Sequence, residues 1–130
     1  FTCDNLNLDV EYIGKQLVEP DYIEALNSMN NRLIQSYPLN LSEIENRKRF
    51  ILKHFSEFPE GFKIWERENY NFLFSGILRM SRIYFNKEKL VGVFYCSYAC
   101  GRLCGEEAII CIRKINDKWI IEKNILLGVS

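Results

Sequence analysis

Three apolar segments, "LVGVFYCSYA" (90–99), "AIICIRKI" (108–115) and "KWIIEKNILL" (118–127), follow one another with only a glycine- and cysteine-rich turn and the dipeptide Asn116-Asp117 between them. Connections that short can join antiparallel neighbours, whereas parallel strands need a crossover of about a dozen residues or more. The spacing therefore predicts consecutive hairpins, a curved antiparallel β-meander, for the C-terminal part of the chain. "NKEK" (86–89) reads as a further hairpin turn, and "FLFSGILRMSRIYF" (72–85) as one bent strand with Gly76 as a bulge. "FKIW" (62–65) alternates briefly like a strand and "ERENYN" (66–71) reads as a polar loop, so everything beyond the turn "FPEG" (58–61) is expected to be β.

Upstream the apolar period is helical. Residues 1–9 are polar and are expected to be a flexible start to a short helix that Pro20 ends. Asp21 and Glu24 have capping-box spacing, and Tyr22, Leu26, Met29 and Leu33 recur every three to four residues, which predicts a helix over 21–36. Pro38 and Asn40 break it. Ser42 with Glu45 then caps a further helix, whose stripe of Ile44, Ile51 and Phe55 lies opposite the charged run "ENRKR". The two longer helices should pair as a hairpin and cover one face of the sheet, giving a single α+β domain over 1–130.

Composition narrows the partners. Seventeen basic and seventeen acidic side chains cancel, which removes the basic footprint of a nucleic-acid binder and any polybasic face for anionic lipid. No apolar run approaches the ~20 residues of a membrane-spanning helix. No phosphate loop, nucleophile elbow, zinc-protease helix or calcium loop is present, so no cofactor is expected and the common enzyme classes lose their usual marker.

The cysteines carry the strongest local signal. Along the strand from Val91, Phe94, Cys96, Tyr98 and Cys100 share one face. A hairpin centred near Leu103 would set Cys96 across from Cys111, a candidate second disulfide. Left-handed backbone at Gly101 and Gly105 would bring Cys100 and Cys104 to the ~5.5 Å Cα separation of a disulfide. Three readings of these thiols stay open: a structural disulfide in an exported protein, which is favoured; a metal clip, for which the C-x3-C spacing lacks a second paired motif and a nearby histidine; and a catalytic cysteine with His54 as base. So small a ring would stabilise by at most ~2 kcal/mol and would mainly fix loop shape. Cys3, in "FTCDN", is a candidate lipidation site at a signal junction, although "FT" is not the small-residue pair usual there, and an ordinary terminal thiol is the alternative.

Other candidate residues have plainer alternatives. Glu106 and Glu107 beside the loop could serve acid–base chemistry, but adjacent residues of an extended chain point apart and such acids are usually solvated. Trp65 and Tyr70 flank Glu66, Arg67 and Glu68 and could form a ligand rim, or a solvated loop between core aromatics. Arg102 at the loop tip is the charged side chain best placed to meet a partner, with Tyr98 and Glu106 beside it. His54 lies between Ile51 and Phe55, where a half-buried structural histidine is the commoner outcome.

The run from Ser81 to Lys123 resembles the C-terminal half of a group of small bacterial proteins of unassigned activity, many of them exported or lipid-anchored. The matching pieces are "FNKEK", "CGRLCGE" and "KINDKW". The resemblance implies an antiparallel hairpin unit and an envelope or extracellular setting, and nothing about a substrate. Glu107 and Asp117 stand where many members of that group would carry glycine. By element order alone, helices before a curved sheet, the chain is similar to nuclear-transport-factor-like and cystatin-like folds.

The expectation from the sequence is an extracytoplasmic binding domain that acts on a protein or small ligand through the cysteine loop and the adjacent sheet face. The alternatives are a small enzyme with a pocket between helices and sheet, using His54 or Glu106, and an immunity or inhibitor protein.

Overall fold

The computed structural model of the chain describes residues 8–30, 39–44 and 49–130. It is an α+β fold in which two helices cover one face of a five-stranded antiparallel sheet. Helix α1, Val10–Gln16, starts where the Asp9 carboxylate accepts the Tyr12 N–H at 3.0 Å, a side-chain cap for an otherwise orphaned donor. Helix α2, Pro20–Asn30, follows after a short break. Pro20 does bound an element, but as the opening residue of α2, since the first helical position needs no N–H.

The stripe of α2 is as the spacing predicts. Tyr22, Ala25, Leu26 and Met29 are buried and pack, with Ile13 and Leu17 of α1, against the sheet. The predicted continuation over 31–36, including Leu33, lies outside the described residues, as do Cys3 and the rest of 1–7. Leu8 already packs against the core.

The second predicted long helix does not form over its described part. Leu41–Glu43 is a single 3-10 turn capped by Asn40, residues 51–54 have no regular structure, and Phe55–Glu57 is another 3-10 turn. Ile44, Ile51 and Phe55 are exposed. The helix-bearing side of the sheet is taken by α1 and α2, and a stripe left outside that layer gains too little to offset the cost of helix nucleation. The helix pair of this fold is therefore α1 with α2, and no hairpin of 21–36 with 42–55 is seen among the described residues.

Strand structure begins later than the sequence suggests. Gly61–Trp65, containing "FKIW", is a 3-10 helix entered at Gly61 with φ +62°, and it buries Ile64 and sets Trp65 against Phe74. Phe58, Tyr70, Phe72 and Phe74 complete an aromatic cluster with ring centroids 5.2–6.4 Å apart. Ring packing, rather than alternation, decides the backbone there. The predicted single strand over 72–85 is two pieces, β1 (Ile77–Met80) and β2 (Tyr84–Phe85), both on the same edge of β3. Ser81 makes the break, with its N–H donating to the Tyr95 carbonyl and its Oγ accepting the Tyr95 N–H, both at 2.9 Å. Gly76, with φ +156°, precedes β1 instead of bulging within it, and a Cβ there would run into the Ala99 carbonyl.

The remaining strands are the expected meander: β3 (Val91–Gly101), β4 (Cys104–Ile115) and β5 (Lys118–Val129), in the order β1-β3-β4-β5. Asn116 (φ +50°) and Asp117 (φ +62°) make the two-residue turn whose left-handed geometry their types favour. Val91, Val93, Tyr95, Ile109, Cys111 and Ile125 form the sheet side of the core. Among the described residues, no helix is long and apolar enough to cross a membrane.

Candidate functional site

Alternation along β3 and β4 decides where each candidate points. Cys100 and Cys104 meet at the tip of the β3–β4 hairpin at disulfide distance, with Cα atoms 5.2 Å apart. The means differs from the expected one. Neither Gly101 nor Gly105 has positive φ; the ladder instead shifts register between Ala99 and Gly101, leaving Cys100 as the extra residue of a bulge that turns it toward Cys104. Gly105 is required for closeness: a Cβ there would lie 3.0 Å from the Tyr98 carbonyl and 3.3 Å from the Ser130 hydroxyl. Its N–H and C=O bond to Ser130 at 3.1 and 2.8 Å, so the residue that follows β5 ties down the tip.

The proposed second disulfide is excluded by register. Cys96 pairs with Ala108 and Cys111 with Val93, so the hairpin is centred nearer Arg102 than Leu103. Cys96 and Cys111 then fall on opposite faces of the sheet, and both are free thiols. Burial raises the Cys111 thiol pKa to about 11, and burial followed by the Glu106 charge raises that of Cys96. Both are held away from the thiolate form that reacts. In native protein at pH 7.5, Cys96 and Cys111 should therefore resist iodoacetamide for hours and react fully in urea, read by mass spectrometry; rapid native labelling of Cys111 would contradict its place in the core.

The other candidates divide between the tip and its surroundings. Arg102 sets its guanidinium over the Phe62 ring, 5.1 Å from the centroid, which brings the Gly61–Trp65 helix beside the tip. Tyr98 and Glu106 are directly paired across β3 and β4, and the Tyr98 hydroxyl donates to the Ser75 carbonyl at 2.7 Å. Glu107 pairs with Ser97 on the opposite face. Trp65 packs in the aromatic cluster, where Tyr70 donates to the Ile64 carbonyl at 2.8 Å. His54 is on an extended segment rather than a helix, and its backbone N–H donates to the Glu57 carboxylate at 2.7 Å.

Sequence reasoning missed two features. Leu103, between Arg102 and Cys104, is 89% exposed; an isolated leucine in a glycine–cysteine turn was the available signal. The other is a polar network where α2 meets the sheet. Tyr22 donates to Glu122 at 2.6 Å, Arg113 donates to the same Glu122 oxygen at 2.6 Å and also pairs with Glu19, and its guanidinium lies over the Tyr22 ring. No spacing pattern could reveal it, because Tyr22 and Glu122 are 100 residues apart.

This network holds protons in fixed places. Bonds from Tyr22 and then Arg113 depress the Glu122 pKa below its ordinary 4.5, while burial and the Glu122 carboxylate push Tyr22 well above 10.0. A depressed acid stabilises the fold above its unfolded pKa and loses that contribution as pH falls. A raised tyrosine stabilises below pH 10 and loses its contribution above. The stability gap between wild type and Tyr22→Phe should accordingly be widest between roughly pH 5 and pH 9 and narrow on both sides; denaturant titrations across pH that show a constant gap would contradict the linkage.

A hollow of about 330 Å³ lies at the β2 turn, lined in part by Ser28, Arg82, Lys87 and Lys89, and it contains neither His54 nor Glu106 nor any cysteine. Among the described residues, no group of three or more His, Cys, Asp or Glu side chains could hold a metal ion. The chain matches no protein-family model, no curated protein and no solved structure.

Proposed function

We propose that this chain is an extracytoplasmic binding module that presents the rigid tip of the β3–β4 hairpin, with the sheet face beside it, to a protein or small ligand. The observation that carries the reading is the construction of the tip. Leu103 stands in solvent on a two-residue turn flanked by cysteines at disulfide distance, and the turn is tied at its base to Ser130. A large apolar side chain held in one backbone shape has little further freedom to lose on docking, which is what makes such a group an effective anchor. Arg102 over Phe62 sets a cation and an exposed ring beside it.

Support for the setting comes from the sulfur chemistry, since disulfides persist in oxidising compartments, and from the resemblance of residues 81–123 to exported bacterial proteins. An immunity or inhibitor protein would be one form of this reading, with a toxin or hydrolase as the partner. The enzyme alternative, a pocket using His54 or Glu106, draws less support, because the hollow at the β2 turn is lined by neither residue.

The test is site-specific photocrosslinking in the envelope of a producing bacterium, with the probe at Leu103 or, as control, at Glu88 in the turn at the other end of β3. A discrete adduct from position 103 alone, lost on Arg102→Glu and when the cysteines are replaced by serine, is the expected result. Equal labelling from both positions, or none from either, rejects the reading, as does a Cys100–Cys104 pair found reduced in freshly isolated protein.

A further inference from the structure

We infer that the sheet face opposite the helices is a self-association surface, packed against the same face of a second copy about a two-fold axis through Ile110. Cross-strand partners share a face, so the register assigns Leu78 and Met80 (β1), Phe94 (β3), Ile110 (β4), and Ile121 and Leu126 (β5) to the side away from α1 and α2. Among the described residues no helix covers this side. Leu78 is 58% exposed and Ile121 69%, with Phe94 and Ile110 half-buried between them and Asn124 beside Ile110, and exposed apolar side chains grouped on one face of a folded chain mark an interface.

Two observations select a second copy as the occupant. The first is size. Three strands of 11 and 12 residues give a face ~36 Å long, and the shorter β1 and β2 fill part of a fourth place beside β3, so the face offers ~600 Å², most of the ~800 Å² that each partner of a stable protein pair contributes. The second is charge. On β4 the face carries Glu106 at one end and Lys114 at the other, and Ile110 lies midway between them. Sheets stack face to face about 10 Å apart with strands nearly aligned. A two-fold axis perpendicular to the strands through Ile110 reverses β4 over its copy, so that Glu106 of each chain faces Lys114 of the other. The apolar centre then meets an apolar centre and each end meets its opposite charge, which is the self-complementarity a two-fold interface requires.

This surface takes in Glu106 on the sheet face beside the tip but not Leu103 itself, so the oligomeric state and the crosslinking from position 103 can fail independently of one another. Sedimentation equilibrium of the purified full chain at about 1–100 μM should give the dimer mass, and Ile110→Lys should give a monomer with an unchanged circular dichroism spectrum. If Ile110→Lys does not fold, the surface charges decide. Glu106→Lys and Lys114→Glu should each weaken association about tenfold, and the double variant should return it close to wild type. A wild type that stays monomeric throughout, a double variant no better than the singles, or a monomer that floats with phosphatidylcholine vesicles through this face would each overturn the proposal.

Discussion

Tyr22→Ala is expected to lower unfolding free energy by about 4 kcal/mol, enough to leave a domain of this size marginal. The side chain is 1% exposed and among the largest fully buried groups, so its removal opens a cavity between α2 and the sheet that Leu26 and Met29 cannot close. It also takes away the hydroxyl bonded to Glu122 and the ring beneath Arg113. Tyr22→Phe separates the two contributions: it keeps the ring and loses only the hydrogen bond, for an expected cost of about 1 kcal/mol. Urea titrations of the three proteins check the difference, with equal slopes showing that only stability has changed. A loss below about 1 kcal/mol for Tyr22→Ala would mean that α2 does not dock on the sheet through this face.

The part of this fold that could be read from sequence is the part governed by local rules. Turn chemistry at Asn116-Asp117 and strand alternation from Val91 onward describe contacts between neighbours in the chain, and the structure follows them. The readings that failed needed knowledge of what was already occupied. Ile44, Ile51 and Phe55 make a plausible stripe, but α1 and α2 hold the only helix-bearing side of the sheet among the described residues. "FKIW" alternates, yet the rings of Phe58, Trp65, Tyr70 and Phe74 pack better around a 3-10 turn than along a strand.

For the candidate site, a small error in register had a large consequence. Centring the β3–β4 hairpin about one and a half positions late sets Cys96 across from Cys111 instead of Ala108, three residues away and so on the other face. The Cys100–Cys104 pairing is legible in the sequence because it depends on proximity within one loop, even though a bulge rather than left-handed glycine supplies it. The Tyr22–Glu122–Arg113 network and the shared open face of β1, β3, β4 and β5 are products of tertiary register, which no window of sequence contains.

At the β2–β3 turn, Asn86→Leu is expected to cost about 2–4 kcal/mol, although the substitution adds apolar volume at a position only 3% exposed. The Asn86 side-chain oxygen accepts the N–H groups of Leu90 and Val91 at 3.0 and 3.1 Å, while its own carbonyl accepts the Lys89 N–H at 3.0 Å. The backbone already closes the turn, with the Asn86 N–H donating to the Val91 carbonyl at 3.2 Å, and the side chain adds bonds to two amides that these backbone bonds do not reach. Leucine offers no acceptor, and the Val91 amide, in a fully buried residue at the start of β3, has no route to water. The turn contains an internal control of opposite sign. Lys89 holds φ at +54°, a conformation that glycine adopts freely, so Lys89→Gly should be neutral or stabilise by up to about 1 kcal/mol. Hydrogen exchange gives the local readout: in Asn86→Leu the Leu90 and Val91 amides should lose protection before the rest of β3, whereas in Lys89→Gly they should keep it. If both substitutions destabilised alike, the turn would be held by its backbone and not by the Asn86 side chain, and the start of β3 would have to be fixed instead by α2, through the Glu24 carboxylate that accepts the Lys87 N–H at 3.0 Å.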